Sequence, residues 1–228
     1  MKDPYTNENG VLKNKLNITD YDELMKAEAD IGFIKLIDID SVIINYDGTI
    51  NKFDENLLKK IHKYIFEDVF DWAGEYRTVP IVKEEVVLPG YSIPYSEYKN
   101  ISKELNEKFN ELNSISWQTL DIHTISMEFA RKMALIWKIH PFRDGNTRTM
   151  LSFAYLYAKE HNFPFDMKTF TDNLARKYNE NGKMLCNIRD KFVLACLDEK
   201  DYPEVEHLAR VFETAIRKVN ENEHNMKI

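Results

Sequence analysis

One short segment of the chain combines residue types that suit chemistry on a phosphate group. Residues 140–149 read His-Pro-Phe-Arg-Asp-Gly-Asn-Thr-Arg-Thr, and apolar helical spacing flanks them on both sides. A histidine that can act as a general base, a carboxylate that can hold a metal ion and the amino end of a helix therefore fall within one loop. Such a set suits a phosphate ester that lies beside a hydroxyl about to lose its proton.

Several residues of this loop have a defined chemical use. His140 titrates near neutral pH, so it can accept a proton from a hydroxyl. Asp144 can hold Mg²⁺, which usually takes one or two protein carboxylates together with phosphate oxygens and water. Gly145 lets the backbone approach a ligand closely, and Arg148 can pair with a phosphate. The exposed N–H groups of the helix that follows can bind anionic oxygen.

Taken singly, the same residues are common for structural reasons. Asp, Gly and Asn are ordinary capping residues at a helix start, and a histidine at a helix end often only complements the helix dipole. An arginine such as Arg148 is usually a surface residue. The occurrence of all of them within residues 140–148 favours the chemical interpretation over the structural one.

Two predicted helices position this loop. The first carries apolar residues at steps of three and four and ends at His140-Pro141, because a residue before proline is pushed out of the α region. The second starts near Asn146 and presents one apolar side. The sequence therefore predicts a helix–loop–helix unit at the core. Its apolar positions are Ile122, Ile125, Phe129, Met133 and Ile136, followed by Met150, Phe153, Ala154 and Tyr157.

The rest of the chain is also predicted to be mostly α-helical. A first helix is expected from an N-cap at Thr19 to about Leu36, and helical spacing recurs over 57–66, 96–112, 166–197 and 203–222. The exception is a β-hairpin predicted over residues 76–88, the flap segment, where β-branched runs flank a polar turn. We expect one domain over 1–228, with an irregular arm (1–18), a core (19–165) and a C-terminal helical extension (166–228).

Composition excludes several classes of protein. Hydrophobic residues make up 43% and charged residues 30% of the chain, which is typical of a folded domain. The net charge of −7 argues against broad nucleic-acid binding, and no apolar run approaches the roughly 20 residues of a membrane span. The N-terminus lacks the apolar run of a signal peptide, and Cys186 and Cys196 are expected to be thiols. A cytoplasmic location is predicted, with export as an effector left open.

The loop resembles the signature of the Fic domain family, HxFx(D/E)GNGRxxR. The matching residues are His140, Phe142, Asp144, Gly145, Asn146 and Arg148. Thr147 stands where glycine is usual, and Leu151 stands where a second arginine is usual. Residues 70–79 and 11–35 also resemble the family's segments before the flap and at its opening helix. The resemblance covers about residues 10–165.

The resemblance implies a helical bundle with one β-hairpin flap and the transfer of AMP from ATP to a protein hydroxyl, with Mg²⁺. His140 would deprotonate a Tyr, Thr or Ser hydroxyl of the target, and Asp144 would hold Mg²⁺. Phe142 would anchor the loop in the core. The phosphate-binding residues would be Gly145, Asn146, Thr147 and Arg148. The flap would align a target segment by strand-like pairing through Ile81, Val82, Lys83, Glu84, Glu85, Val86, Val87 and Leu88.

The departure at Leu151 bears on ATP binding and on regulation. The family's second arginine contacts the distal phosphate of ATP, and losing such a bond costs about 1.5–3 kcal/mol, so weaker ATP binding is predicted. Many relatives carry an inhibitory glutamate that pairs with that arginine, in a motif that Glu23 and Glu221 match only in part. We expect no such restraint here, and both partial matches are also typical of ordinary helix surface.

Other functions stay open at the level of sequence. The fold can transfer another phosphate-containing group, although Gly145-Asn146 argues against the family's phosphotransferase branch. A degenerate domain that only binds a nucleotide or a partner is a third interpretation. A separate inhibitory antitoxin subunit is compatible with the resemblance. The remaining histidines, among them His62, show no ligand-like spacing and are predicted to be structural or surface residues. The sequence does not indicate the target protein, the base preference or the oligomeric state.

Overall fold

The computed structural model describes residues 3–40, 52–172, 174, 177–178, 180, 184–198 and 203–225, with the backbone alone for 178, 184–185 and 220–225. Most of these residues are helical, which confirms the prediction of a mostly α fold. No helix within the described ranges has the length and apolarity needed to span a bilayer. The helices are α1 (Tyr21–Ile37), α2 (Glu55–Phe66), α3 (Ile101–Asn113), α4 (Ile122–Ile139), α5 (Asn146–Glu160), α6 (Lys168–Thr171), α7 (Ile188–Ala195) and α8 (Val205–Asn225). Two short 3₁₀ turns, Tyr98–Asn100 and Trp117–Thr119, precede α3 and α4.

Side-chain caps set where several helices begin. Asp20 accepts a hydrogen bond from the Glu23 N–H, so α1 is capped one residue later than predicted. Asp54 and Asp121 cap α2 and α4 in the same way. Asn187 forms a reciprocal capping box at the start of α7. These caps stabilise the ends of the helices that surround the loop at 140–145.

The core forms where α4 and α5 pack against their neighbours. Helix α4 lies against α3, α7 and α8, while α5 lies against α2. The Trp117 indole N–H donates to the Tyr157 hydroxyl at 2.9 Å, and that hydroxyl donates to the Leu112 carbonyl at 3.1 Å. Phe129 stacks on Tyr157 with ring centroids 5.8 Å apart. The two helices that carry the loop are therefore held by a rigid aromatic core.

The β-hairpin predicted over residues 76–88 is wrong, because the flap segment contains no strand. Its β-branched residues Val82 and Val86 are 83% and 51% exposed, so they do not lie on a buried sheet face. Charged side chains from the polar stretch point inward instead: Lys83 towards Asp144, and Glu85 into an ion pair with Arg189. These contacts hold the segment as irregular chain where the sequence pattern predicts a turn between strands.

The C-terminal region also differs from the prediction. Residues 166–197 were expected to be helical, but only the short α6 and α7 are found there among the described residues. Between them lies a two-stranded antiparallel ribbon formed by β1 (Lys177–Tyr178) and β2 (Met184–Leu185). The predicted helix over 203–222 is confirmed as α8.

Candidate active site

A left-handed turn ends α4 at His140. Its backbone lies at φ 52° and ψ 60°, a conformation that bulky residues adopt only when neighbours enforce it. The buried Arg77 supplies that support, since its Nε–H donates to the His140 carbonyl at 2.8 Å. The Arg77 backbone N–H also donates to the Pro141 carbonyl at 2.9 Å. The first residues of the flap segment therefore fix the turn that carries the histidine.

Asn146 closes the loop from the other side. Its side-chain oxygen accepts the Phe142 N–H at 3.0 Å, and its amide donates to the Phe142 carbonyl at 2.8 Å. Phe142 itself is fully buried. Gly145 lies at φ +75°, and a Cβ there would come within 2.3 Å of the Phe66 ring. Only glycine fits this position, which lets α5 begin directly beneath the loop.

His140 is 1% exposed, yet it borders a pocket that the loop and α5 line together. The Tyr95 ring lies against its imidazole with centroids 4.2 Å apart. Neither ring nitrogen has a hydrogen-bond partner among the described residues. Burial, followed by the charges of Lys83, Arg189 and Arg77, holds the pKa of His140 well below its usual range. The imidazole is therefore neutral at neutral pH, which is the form that accepts a proton.

Asp144 lies at the amino end of α5 with its side chain 34% exposed to the pocket. One carboxylate oxygen accepts the Gly145 N–H at 2.7 Å. Burial acts to raise the pKa of this carboxyl, but the positive charges of Lys83 and Arg148 outweigh it and lower the pKa. The ionised, partly exposed carboxylate fits a hard cation such as Mg²⁺.

Arg148 is held by a residue that the sequence did not single out. Its guanidinium donates to Glu28 of α1 at 2.6 Å and lies 4.8 Å from the centre of the Phe66 ring. The Glu28 side chain is only 3% exposed. Gly32, one turn further along α1, lets the helix approach, since a Cβ there would lie 3.3 Å from the guanidinium. The ion pair fixes the direction in which Arg148 faces the pocket.

Most of the predicted site residues line one pocket of about 850 Å³. This volume is within the range of pockets that bind small molecules and cofactors. The loop and α5 contribute His140, Asp144, Gly145, Asn146, Thr147 and Arg148. Lys83 and Glu84 of the flap segment also border it, whereas Ile81, Val82, Glu85, Val86, Val87 and Leu88 do not. Glu28 of α1, Arg189 of α7 and Asp172 add further charged groups to the lining.

His62 of α2 holds the loop in place through hydrogen bonds of its ring, and the sequence did not predict these contacts. The Gly74 N–H donates to Nδ1 at 2.8 Å, so the ring proton is on Nε2, which donates to the Asp144 carbonyl at 3.1 Å. The ring also stacks on Phe142 with centroids 3.8 Å apart. Its burial was readable from the sequence, because His62 lies four residues from both Leu58 and Phe66 on the apolar stripe. Its contact with Asp144 was not.

The buried state of His62 predicts a loss of stability in acid. Burial lowers its pKa to about 3, so between pH 3 and 6.5 the unfolded chain binds the extra proton and the folded protein does not. The contribution of His62 to the free energy of unfolding is complete above pH 6.5 and is lost as the pH falls. The loss amounts to about 2 kcal/mol between pH 7.5 and 5. Urea unfolding of the protein and of His62→Gln at both pH values measures this. The variant should lose about 2 kcal/mol less on acidification, and an equal loss in both proteins would contradict the prediction.

Comparisons with known proteins identify the family of the chain. A family model described as the Fic/DOC family matches residues 52–158. The chain is 30% identical over 179 residues to the probable protein adenylyltransferase y4lH of Sinorhizobium fredii, covering 74% of this chain and 84% of that protein. The chain belongs to the Fic/DOC family. It is also 33% identical over 165 residues to the protein adenylyltransferase VbhT of Bartonella schoenbuchensis, covering 72% of this chain. It spans about a third (32%) of the length of VbhT.

Solved structures show the same fold. The BepC protein of Bartonella tribocorum, solved with bound AMPPNP, superposes with a TM-score of 0.70 at 20% identity, covering 92% of this chain and 95% of that one. A Fic domain from Bartonella quintana with bound ADP gives a TM-score of 0.69 at 22% identity, covering 92% of this chain and 93% of that one.

The two departures from the Fic signature have different structural consequences. Thr147 lies within α5 at negative φ, so the side chain adds no strain, and its hydroxyl accepts the Trp137 indole N–H at 3.0 Å. Leu151 is 3% exposed, packs in the core and does not border the pocket. An arginine at position 151 would therefore have to displace core side chains before it reached a ligand.

Glu23 and Glu221 are the two glutamates considered above as inhibitory residues. Glu23 is exposed in the first turn of α1, and the side chain of Glu221 lies outside the described part of the chain. The glutamate that contacts an arginine of the Fic signature is Glu28, which has no match to the inhibitory motif. The absence of restraint by Glu23 or Glu221 stays a prediction.

Proposed function

We propose that this Fic domain is a protein adenylyltransferase that transfers AMP from ATP to a Tyr, Thr or Ser hydroxyl of a target protein and of itself. The observation that carries this proposal is that His140 and Asp144 border one pocket over the amino end of α5. Two relatives are named as adenylyltransferases, and two solved relatives hold AMPPNP or ADP, which supports ATP as the co-substrate. The cytoplasm stays the predicted location.

The amino end of α5 binds the phosphates in this proposal. The first N–H groups of a helix have no partner within it, and the helix dipole adds about 0.3–1 kcal/mol for a favourably placed charge. Gly145 and Asn146 bring that end close to the ligand, with Thr147 in the same turn. Arg148, fixed by Glu28, adds a charge-assisted contact to a phosphate oxygen.

Mg²⁺ fits beside the Asp144 carboxylate, which is ionised and partly exposed at the pocket edge. When bound, the ion neutralises phosphate charge that develops as pyrophosphate leaves. His62 holds the Asp144 main chain in place, so the carboxylate has a fixed position relative to the phosphates. Pre-set geometry of this kind spares reorganisation during the reaction.

His140 accepts the proton of the attacking hydroxyl. The hydroxyl oxygen bonds to the α-phosphorus of ATP, the bond from that phosphorus to the oxygen leading to the β-phosphate breaks, and pyrophosphate leaves. The imidazole is neutral and carries an available nitrogen lone pair for this step. General-base assistance contributes about 10²- to 10⁴-fold in rate.

The flap segment presents the target hydroxyl in the same proposal. Its residues from Ile81 to Leu88 form no strand, and Val82 and Val86 face solvent. An extended target segment can pack on these two exposed side chains and pair with the backbone between them. Lys83 and Glu84 of this segment border the pocket.

Labelled ATP separates this function from its alternatives. The protein is incubated with Mg²⁺ and ATP labelled at the α or the γ phosphate, with a bacterial lysate as a source of targets. After subtraction of the label that the lysate incorporates without the protein, we expect protein labelling from the α position alone. Labelling from the γ position would indicate phosphate transfer, and no labelling from either position would leave a nucleotide-binding module.

A further inference from the structure

Within the part of the chain that the structure describes, three cationic side chains reach the pocket from three separate segments. Arg148 comes from α5, Arg189 from α7 and Lys83 from the flap segment. The usual second arginine of the signature is replaced by Leu151, which is buried away from the pocket. Position 151 therefore supplies no positive charge to a bound triphosphate.

The two arginines are each closely paired with a buried carboxylate. Arg148 contacts Glu28 at 2.6 Å, and the Glu28 side chain is 3% exposed. Arg189 contacts both oxygens of Glu85, at 2.6 and 2.8 Å, and the Glu85 side chain is 2% exposed. An anion that drew either guanidinium away would leave a buried carboxylate without its positively charged partner, which costs free energy, even though the Tyr95 hydroxyl would still donate to Glu85.

Lys83 has a looser contact. Its ammonium lies 4.0 Å from an Asp144 oxygen, at the distance limit of an ion pair, and its side chain is 27% exposed. Of the three cations, Lys83 therefore has the most to gain from an anionic ligand.

The position of Lys83 suits the phosphates furthest from the nucleoside. Asp144, the residue proposed to hold Mg²⁺, lies beside it, and Mg²⁺ usually bridges a carboxylate and phosphate oxygens. A lysine has a flexible stem and three donors, so its ammonium can turn from Asp144 to a phosphate without backbone movement.

We propose that Lys83 binds the distal phosphates of the nucleotide. It would then replace the phosphate contact of the second signature arginine, whose place Leu151 takes in this chain. The proposal rests on the proposed function, since it takes a nucleoside triphosphate as the ligand. The flap segment then has two uses, one towards the target and one towards the nucleotide.

Calorimetric titration with Mg²⁺ and AMP, ADP or a non-hydrolysable ATP analogue tests this assignment. Lys83→Met should weaken binding of the ATP analogue about ten- to a hundredfold, the range of one charge-assisted bond, and change AMP binding less than about twofold. Lys83→Arg should keep most of the affinity. Lys103→Met, on the exposed face of α3, is the matched control and should bind like the parent protein.

Thermal melts of each variant without nucleotide show whether it is folded, and Lys83→Arg retains the charge if the methionine variant is unstable. Equal loss of AMP and ATP-analogue affinity in Lys83→Met, unchanged affinity, or tighter binding of the analogue would each overturn the role of Lys83. If the parent protein binds none of the three nucleotides, the proposed function itself fails, and the role of Lys83 fails with it.

Discussion

Replacing His140 with alanine lowers AMP transfer by about 10²- to 10⁴-fold, because the attacking hydroxyl loses its proton acceptor. Binding of the ATP analogue changes little, since the phosphates are held by α5 and its arginine. The measurement is the rate of labelling from α-labelled ATP at saturating nucleotide, together with the affinity of the analogue. A loss confined to the rate identifies a residue that acts in the chemical step.

The matched control for this substitution is His123→Ala. His123 lies on the same helix, α4, but its side chain is 70% exposed and pairs with Glu213 on the surface. We expect the control to label at the parent rate. An active His140→Ala protein, or equal losses in both variants, would contradict the role of His140.

Asp144→Asn should lower transfer by about a hundredfold or more at fixed Mg²⁺, since a metal ion that neutralises phosphate charge contributes several kcal/mol to the transition state. Asparagine keeps the shape of the side chain and can still accept the Gly145 N–H, so the loop should keep its fold. The measurement is the transfer rate as a function of Mg²⁺ concentration. The half-maximal concentration should rise steeply in the variant.

Asp172→Asn provides the control. Asp172 also borders the pocket, but it is exposed and lies at the end of α6. Its Mg²⁺ dependence should match that of the parent protein. A parent-like Mg²⁺ curve for Asp144→Asn would show that the ion, if it acts at all, is held elsewhere.

The loop was predictable from sequence because its determinants are local. A histidine before proline, a glycine at a left-handed position and an asparagine four residues from its Phe142 partner all lie within a few residues of each other. The helix–loop–helix unit and the mostly α fold follow from apolar periodicity in the same way. Local chemistry of this kind places the predicted loop residues around one pocket.

The supporting residues were not predictable because their partners are distant in sequence. His62 lies 82 residues from Asp144, and Glu28 lies 120 residues from Arg148. Their contacts depend on how α1 and α2 pack against α5, which one sequence does not specify. The hairpin prediction for the flap segment was wrong for a related reason. Lys83 lies beside Asp144 and Glu85 pairs with Arg189, and these distant contacts override the β propensity of the segment.

A crystal structure with Mg²⁺ and a non-hydrolysable ATP analogue tests the central claim most directly. The account predicts phosphates over the first turn of α5, a Mg²⁺ ion on the Asp144 carboxylate and a His140 ring nitrogen facing the space where a hydroxyl would attack the α-phosphorus. Nucleotide bound with its phosphates away from α5, or with His140 turned from the α-phosphorus, would contradict it.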